Sequence, residues 1–167
     1  MNPEVALGVA GAIAAISFSA VGSAIGTGKA AAAAIGAWKK CYAQNKPAPV
    51  QLLSFVGAPI TQTLYGRILM FSMISVVKGN PVPGAGLAML VIGIVAGIGI
   101  GASAVFQGIA GAGASNAQAE TGKGFTNYLA SIGIVETVAI FVMVFALIGA
   151  GNLAQEEAAV EAETPVA

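Results

Sequence analysis

A single carboxylate lies within an uncharged and largely apolar stretch, Ser131-Ile132-Gly133-Ile134-Val135-Glu136-Thr137-Val138-Ala139-Ile140-Phe141. The surrounding run, about residues 125–153, contains no other charged residue. As a helix rising about 1.5 Å per residue, this run crosses a hydrocarbon layer about 30 Å thick, with Glu136 near its middle. An ionised side chain costs about 2.5–3.5 kcal/mol there, and such residues usually belong to ion or proton pathways. We therefore predict an ion-carrying glutamate; the alternative is a protonated glutamate that only joins helices by hydrogen bonds.

The composition is that of an integral membrane protein. Of the 167 residues, 57% are hydrophobic and 8% are charged, whereas about 25% of a soluble domain is charged. The formal net charge is zero, so nothing indicates a nucleic-acid surface. The absence of histidine and the single cysteine, Cys41, exclude Ser-His-Asp triads, histidine-ligated metals and an intrachain disulfide. We predict a protein that is not an enzyme and has no catalytic residues and no organic cofactor.

An all-α fold of four transmembrane helices is predicted. The first span begins near residue 4 and continues to a polar turn at 39–47, and the second covers about 52–77. A Gly- and Pro-rich turn follows at 79–84. The third span covers about 84–119, and the fourth carries Glu136. The tail from Gln155 onward holds four glutamates among alanines and is expected to be exposed and weakly ordered.

The chain is also predicted to form two tandem antiparallel hairpins. Ser19-Ala20-Val21 matches Ser103-Ala104-Val105 at an offset of 84, and Gln62-Thr63 aligns with Glu136-Thr137 at an offset of 74. We divide the chain into a first hairpin (1–78), a connecting loop (79–84), a second hairpin that carries the glutamate (85–153) and an acidic tail (154–167).

Three polar side chains on different helices are expected at one depth. In an antiparallel hairpin, residues equidistant from the turn lie at the same level. The midpoint of Gln107 and Glu136 falls between Thr121 and Gly122, and the midpoint of Gln62 and Gln107 falls at the edge of the second turn. Gln62, Gln107 and Glu136 are therefore predicted to share one layer of the membrane, where buried polar groups need partners.

The second span adds oxygen ligands to this layer. At 100° per residue, Ala58, Thr61, Gln62 and Tyr65 fall within an arc of about 100°, and Pro59, lacking an N–H, loosens nearby backbone carbonyls. An all-oxygen set of this kind suits a hard cation such as Na⁺, whereas a protonated glutamate held by the same groups would carry H⁺. Taken singly, the glutamines could only join helices, Thr61 could bond to its own helix, and Tyr65 could simply pack.

Small residues predict close helix packing. Gly93, Gly97 and Gly101 recur at four-residue spacing in the third span, and Gly22 and Gly26 do so in the first. Such stripes fit a homo-oligomeric ring around a narrow bore, although close packing within one bundle would also use them.

Over roughly residues 5–152, the chain resembles the duplicated-hairpin proteolipid of prokaryotic V/A-type ATPases, also known as the K or c subunit. The resemblance implies a membrane rotor ring with spans one and three inside and spans two and four outside, and it identifies Glu136 as the essential carboxylate. It implies Na⁺ ligands from Thr61, Gln62, Gln107, Glu136 and the Ala58 carbonyl, with Tyr65 bonding the carboxylate, which favours Na⁺ over H⁺. The motifs that carry it are Thr61-Gln62-Thr63-Leu64-Tyr65-Gly66 after Pro59, Gln107 behind Ser103-Ala104-Val105, and Ile134-Val135-Glu136-Thr137.

The resemblance also implies partners: identical copies of the chain, a stator membrane protein with an essential arginine, central-stalk proteins and lipid. The chain lacks a Gly-rich loop ending in Lys-Ser/Thr and is not expected to bind ATP itself. Gln62 occupies the first-hairpin position equivalent to Glu136, so each chain of four helices has one ion carrier. This lowers the number of ions moved per turn of the ring, which favours an ATP-driven pump over a synthase.

The distribution of lysines predicts the orientation in the plasma membrane. Turns 39–47 and 120–123 are expected to be cytoplasmic and both termini extracytoplasmic, because the first turn carries Lys39, Lys40 and Lys46 and the third carries Lys123.

Arg67 departs from the family pattern. On a helix it points about 190° from the centre of the Ala58–Tyr65 arc, and it is expected to snorkel outward or to contact a neighbour. The competing function is a stand-alone tetraspan ion transporter or channel. A purely structural membrane scaffold is a third possibility.

Overall fold

A computed structural model describes residues 2–78 and 81–163, and within these ranges every regular element is helical. Four helical rods follow the four predicted spans, and the second of them is built from three consecutive segments. Gly79 and Asn80 of the predicted second turn lie outside the described residues. The elements are α1 (Pro3–Ala43), α2 (Leu52–Gly57), a 3₁₀ segment (Ala58–Ile60), α3 (Thr61–Val77), α4 (Ala85–Thr121) and α5 (Phe125–Glu163).

All four rods are long and apolar enough to cross a membrane. The predicted all-α fold with four spans is therefore confirmed, and the chain is a multi-pass membrane protein. The helix ends follow local chemistry. Asn2 caps α1 by accepting a hydrogen bond from the Glu4 N–H at 3.0 Å, and α4 begins after Gly84 and ends at Gly122, both in the left-handed conformation that glycine adopts freely.

Helices α1 and α4 form the tightest pair in the bundle. A Cβ atom at Gly22 would overlap the backbone of Gly101, and one at Gly108 would overlap the backbone of Gly26. The predicted small-residue stripes therefore bring these two backbones into direct contact, as spacing of small residues at four-residue intervals allows. Helix α3 packs on α1, and α5 packs on α4.

Two apolar clusters lie along the bundle and enclose a polar layer between them. The cluster toward the second turn includes Leu69, Met73 and Met89. The cluster toward the first and third turns includes Phe55 and Ile132, with the Phe55 ring also 5.3 Å from the Phe125 ring, centroid to centroid. The polar layer therefore lies between two apolar regions of the bundle.

The N-terminus is tied to the start of α4 by an unpredicted cap. The Glu4 carboxylate accepts hydrogen bonds from the backbone N–H groups of Gly84 at 3.0 Å and Gly86 at 2.7 Å. Gly84 has no side chain to cap α4, so Glu4 supplies the acceptors and places a negative charge at the positive end of the helix dipole.

The tail after residue 154 forms helix in its described part, which was not predicted, and its weak order stays a prediction. Helix α5 continues without a break to Glu163. The physical reason is local propensity, because alanine, glutamate and glutamine dominate this segment and all three favour helix. Gln155 and Glu156 are exposed, in keeping with the predicted exposure of the tail, and residues 164–167 lie outside the described residues.

Candidate ion-binding layer

Glu136 accepts hydrogen bonds from two other helices. The Tyr65 hydroxyl on α3 donates to Oε1 of Glu136 at 2.7 Å, and the Gln107 amide Nε2 on α4 donates to Oε2 at 3.3 Å. Both carboxylate oxygens therefore act as acceptors. Tyr65 and Gln107 therefore hold this carboxyl group from two helices.

The two glutamines extend the network into the bundle. Gln62 Nε2 donates to Gln107 Oε1 at 2.8 Å, and both side chains are fully buried. Gln107 Nε2 also donates to the backbone carbonyl of Ile132 at 3.3 Å. The predicted common depth of Gln62, Gln107 and Glu136 is confirmed, because one continuous chain of hydrogen bonds joins the three.

The junction between the 3₁₀ segment and α3 adds three closely spaced oxygen atoms. Thr61 Oγ1 lies 2.9 Å from the carbonyl oxygen of Ala58 and 3.2 Å from Oε1 of Gln62. Since a hydroxyl has one proton, Thr61 donates to one of these oxygens at a time. The Ala58 carbonyl also accepts the backbone N–H of Thr61. The Ala58 carbonyl is therefore bonded to Thr61 rather than left free as the loosening by Pro59 suggested, and the Thr61 hydroxyl follows the alternative in which it bonds to its own rod. The buried Pro59 contributes no N–H to this turn.

Sequence reasoning missed two backbone links that hold α5 in place. The Ser103 hydroxyl donates to the carbonyl of Val135 at 2.9 Å, one residue before Glu136, and the carbonyl of Ile132 receives Gln107. The Ser103-Ala104-Val105 motif pointed to Ser103 only as part of a repeat. Its partner is a backbone carbonyl, which a sequence does not distinguish from any other.

Cations do not contact Glu136 within the described residues. The only ion pair found there joins exposed Lys40 to Glu120 at 3.4 Å, near the first and third turns. Arg67 lies on the exposed side of α3, with its guanidinium carbon 5.3 Å from the centroid of the Phe71 ring. Hydrogen-bond donors, rather than a positive side chain of the same chain, therefore surround the carboxylate. Glu136 itself is half-buried, whereas Gln62 and Gln107 are inaccessible.

The fold and the site together define the class of protein. It is a helical membrane protein in which one carboxylate, between two apolar clusters, belongs to a network of hydroxyl, amide and carbonyl groups. Comparison with known proteins gives a more particular relationship. Residues 84–149, which contain Gln107 and Glu136, match the family model for the C subunit of ATP synthase. None of the curated proteins compared with the chain matches it.

Proposed function

We propose that the chain is the ion-carrying component of a homo-oligomeric rotor ring in a V/A-type ATPase or ATP synthase, and that it translocates Na⁺ by binding and release at Glu136. The observation that carries this proposal is the Tyr65–Glu136–Gln107 arrangement, in which one half-buried carboxylate is held by donors from two other helices. A carboxylate at this depth is costly, and such residues usually belong to ion or proton pathways. The match of the second hairpin to the ATP synthase family model supports the same role.

We favour sodium over protons because of the oxygen atoms of the layer that the Gln62–Gln107 pair connects to Glu136. Ala58 O and Gln62 Oε1 lie 2.9 Å and 3.2 Å from Thr61 Oγ1, so three oxygens are close together, and an all-oxygen set of this kind suits a hard cation. A carbonyl oxygen has two lone pairs, so Ala58 O, Gln62 Oε1 and Gln107 Oε1 can each keep a hydrogen bond and also bind an ion. With Thr61 Oγ1 and Glu136 they make a five-oxygen site.

Rotation follows from the charge of the loaded and unloaded site. With Na⁺ bound, Glu136 is neutralised and can pass the lipid; without it, the carboxylate must remain near water or a positive group. In the proposed complex that positive group is an essential arginine on a stator membrane protein, and torque passes to central-stalk proteins. The turns around residues 39–47 and 120–123 face the cytoplasm of a plasma membrane, according to the distribution of their lysines.

Carbodiimide labelling of Glu136 tests the sodium site. The reagent modifies a protonated carboxyl group in an apolar setting, so bound Na⁺ should protect Glu136, and mass spectrometry would separate its labelling from that of the exposed glutamates. We expect protection by millimolar Na⁺ at neutral pH. Thr61→Ala, which removes one oxygen of the site, should raise the Na⁺ concentration needed.

Thr137→Val is the matched control, because the Thr137 hydroxyl bonds to the Ile134 carbonyl of its own helix at 2.7 Å and lies outside the network. Its Na⁺ protection should equal that of the unmodified protein. If no Na⁺ concentration protects Glu136 while labelling still falls as the pH rises, the carried ion is H⁺.

The mass of the assembly in mild detergent tests the ring itself. A stand-alone tetraspan transporter would purify as a monomer or dimer, whereas a rotor ring would have the mass of many copies. A monomer or dimer that still transports Na⁺ would overturn the rotor assignment. A Glu136→Gln variant with unchanged transport would overturn the carrier role.

A further inference from the structure

Arg67 is a cation within a membrane span that the ion-binding layer does not use. It lies on α3 ten residues before Val77, about 15 Å from the end of the helix. This exceeds the reach of an arginine side chain, so Arg67 cannot escape the apolar layer by snorkelling alone. Its observed partner is the ring of Phe71. A guanidinium group at this depth requires more contacts than one phenyl ring provides.

The direction of Arg67 follows from its neighbours on α3. Tyr65 faces α5, since it donates to Glu136. Gly66 faces α1, where an added Cβ would meet the side chain of Ser19. At 100° per residue, Arg67 lies about 200° from Tyr65 and about 100° from Gly66. It therefore projects from the edge of the bundle formed by α1 and α3, on the side away from α5.

The opposite edge of the bundle carries an apolar groove. It lies between α4 and α5, has a volume of about 570 Å³, and is lined by residues that include Val91, Val95, Phe141 and Phe145. Phe141 is 62% exposed and Phe145 is 69% exposed. This α4–α5 groove thus presents two aromatic rings outward that have no aromatic partner among the described residues.

Arg67 and the groove lie at the same depth. Helices α3 and α5 run in the same direction, and Gln62 and Glu136 share one layer. The same offset of 74 residues places Arg67 level with Phe141 and Phe71 level with Phe145. In a closed ring of identical copies, the α1–α3 edge of each copy meets the α4–α5 edge of the next, because ring interfaces are heterologous.

We propose that Arg67 inserts into the α4–α5 groove of the adjacent copy and lies on its Phe141 ring, a cation–π contact that sets the depth register between copies. This inference rests on the ring of the proposed function. The groove is apolar, and an arginine–aromatic contact is stronger when it is desolvated. Arg67 lies about 7.5 Å in depth from the Gln62 layer, so it binds the neighbouring copy without neutralising Glu136.

Chemical cross-linking tests the contact. In a Cys41→Ala background, which removes the only native cysteine, Arg67→Cys and Phe141→Cys in one chain should give a ladder of linked oligomers on a denaturing gel after treatment of the membranes with a short bifunctional thiol reagent, because an arginine side chain on a phenyl ring separates the two backbones by more than a disulfide can span. The control pair joins Arg67→Cys with Ile134→Cys. Ile134 is exposed on the same side of α5, but it lies two turns, about 10.5 Å, from Phe141. This pair should give no ladder.

A double-substitution cycle tests the energy of the contact in otherwise native rings. Arg67→Leu and Phe141→Leu should each speed dissociation of the ring in SDS by about tenfold, and the double variant should dissociate no faster than either single variant. Phe106, which is exposed outside the groove, provides the control. The effects of Phe106→Leu and Arg67→Leu should simply add.

The outcomes separate this inference from the proposed function. A ring of normal mass that gives no Arg67–Phe141 ladder, or in which the two leucine substitutions are additive, overturns the contact and leaves the rotor intact. A monomer in mild detergent overturns both. A ladder together with non-additive effects establishes the contact.

Discussion

Glu136 accepts hydrogen bonds on both carboxylate oxygens, and the shorter of them comes from Tyr65 at 2.7 Å. Tyr65→Phe removes that donor while keeping the ring in place. Because a hydrogen bond to a charged group contributes about 1.5–3 kcal/mol, we expect the Na⁺ concentration that half-protects Glu136 from carbodiimide to rise about tenfold or more. Tyr128→Phe is the control, since Tyr128 packs on Phe55 away from the layer. An unchanged midpoint in Tyr65→Phe would show that Tyr65 does not position the carboxylate.

At the scale of the helix pair, α1 and α4 depend on glycine at their contact. Gly22→Ala places a methyl group into the backbone of Gly101, and overpacking of this kind costs about 1–3 kcal/mol. Gly28 lies on the same helix with open space around its Cβ direction, so Gly28→Ala should be neutral or gain up to about 1 kcal/mol from helix propensity. Unfolding by SDS in mixed detergent micelles would measure the free energy of unfolding of both variants. Equal stability of the two variants would contradict the close α1–α4 approach.

The cap on α4 gives a second test at this scale. Glu4→Gln retains the shape of the side chain but removes the charge that two backbone N–H groups share. We expect the free energy of unfolding to fall by about 0.5–2 kcal/mol and amide hydrogen exchange at Gly84 and Gly86 to become faster. Glu120→Gln serves for comparison, because Glu120 makes only an exposed ion pair, and such pairs contribute about 0–1 kcal/mol. Unchanged exchange at the start of α4 would argue against the cap.

These elements also show where sequence reasoning succeeds. Hydropathy and turn residues located all four spans, and symmetry about the turns placed Gln62, Gln107 and Glu136 at one depth. The Glu4 cap and the bond from Ser103 to the Val135 carbonyl could not be predicted, because both join side chains to backbone groups far away in sequence. The acidic residues of the tail indicated exposure, whereas the helix propensity of its alanines and glutamates continues α5 past residue 154.

For the whole molecule, the number of carriers per chain determines the direction in which the proposed machine works best. Gln62 is neutral and occupies the position of the first hairpin that corresponds to Glu136 in the second, so four helices carry one ionisable site in the layer. Fewer ions per turn means that a larger electrochemical gradient is needed to drive synthesis of each ATP, whereas ATP hydrolysis can build a steeper gradient with the same torque.

We therefore expect the intact complex in proteoliposomes to build a Na⁺ gradient on addition of ATP and to make no net ATP at physiological gradients. Complexes carrying Glu136→Gln should do neither, which links the flux to this carboxylate. Carbodiimide should label one site per chain in the layer, so the labels per ring equal its number of copies. Net ATP synthesis at a physiological Na⁺ gradient would contradict the pump assignment, because a ring with one carrier per four helices would then supply enough ions per turn to drive synthesis.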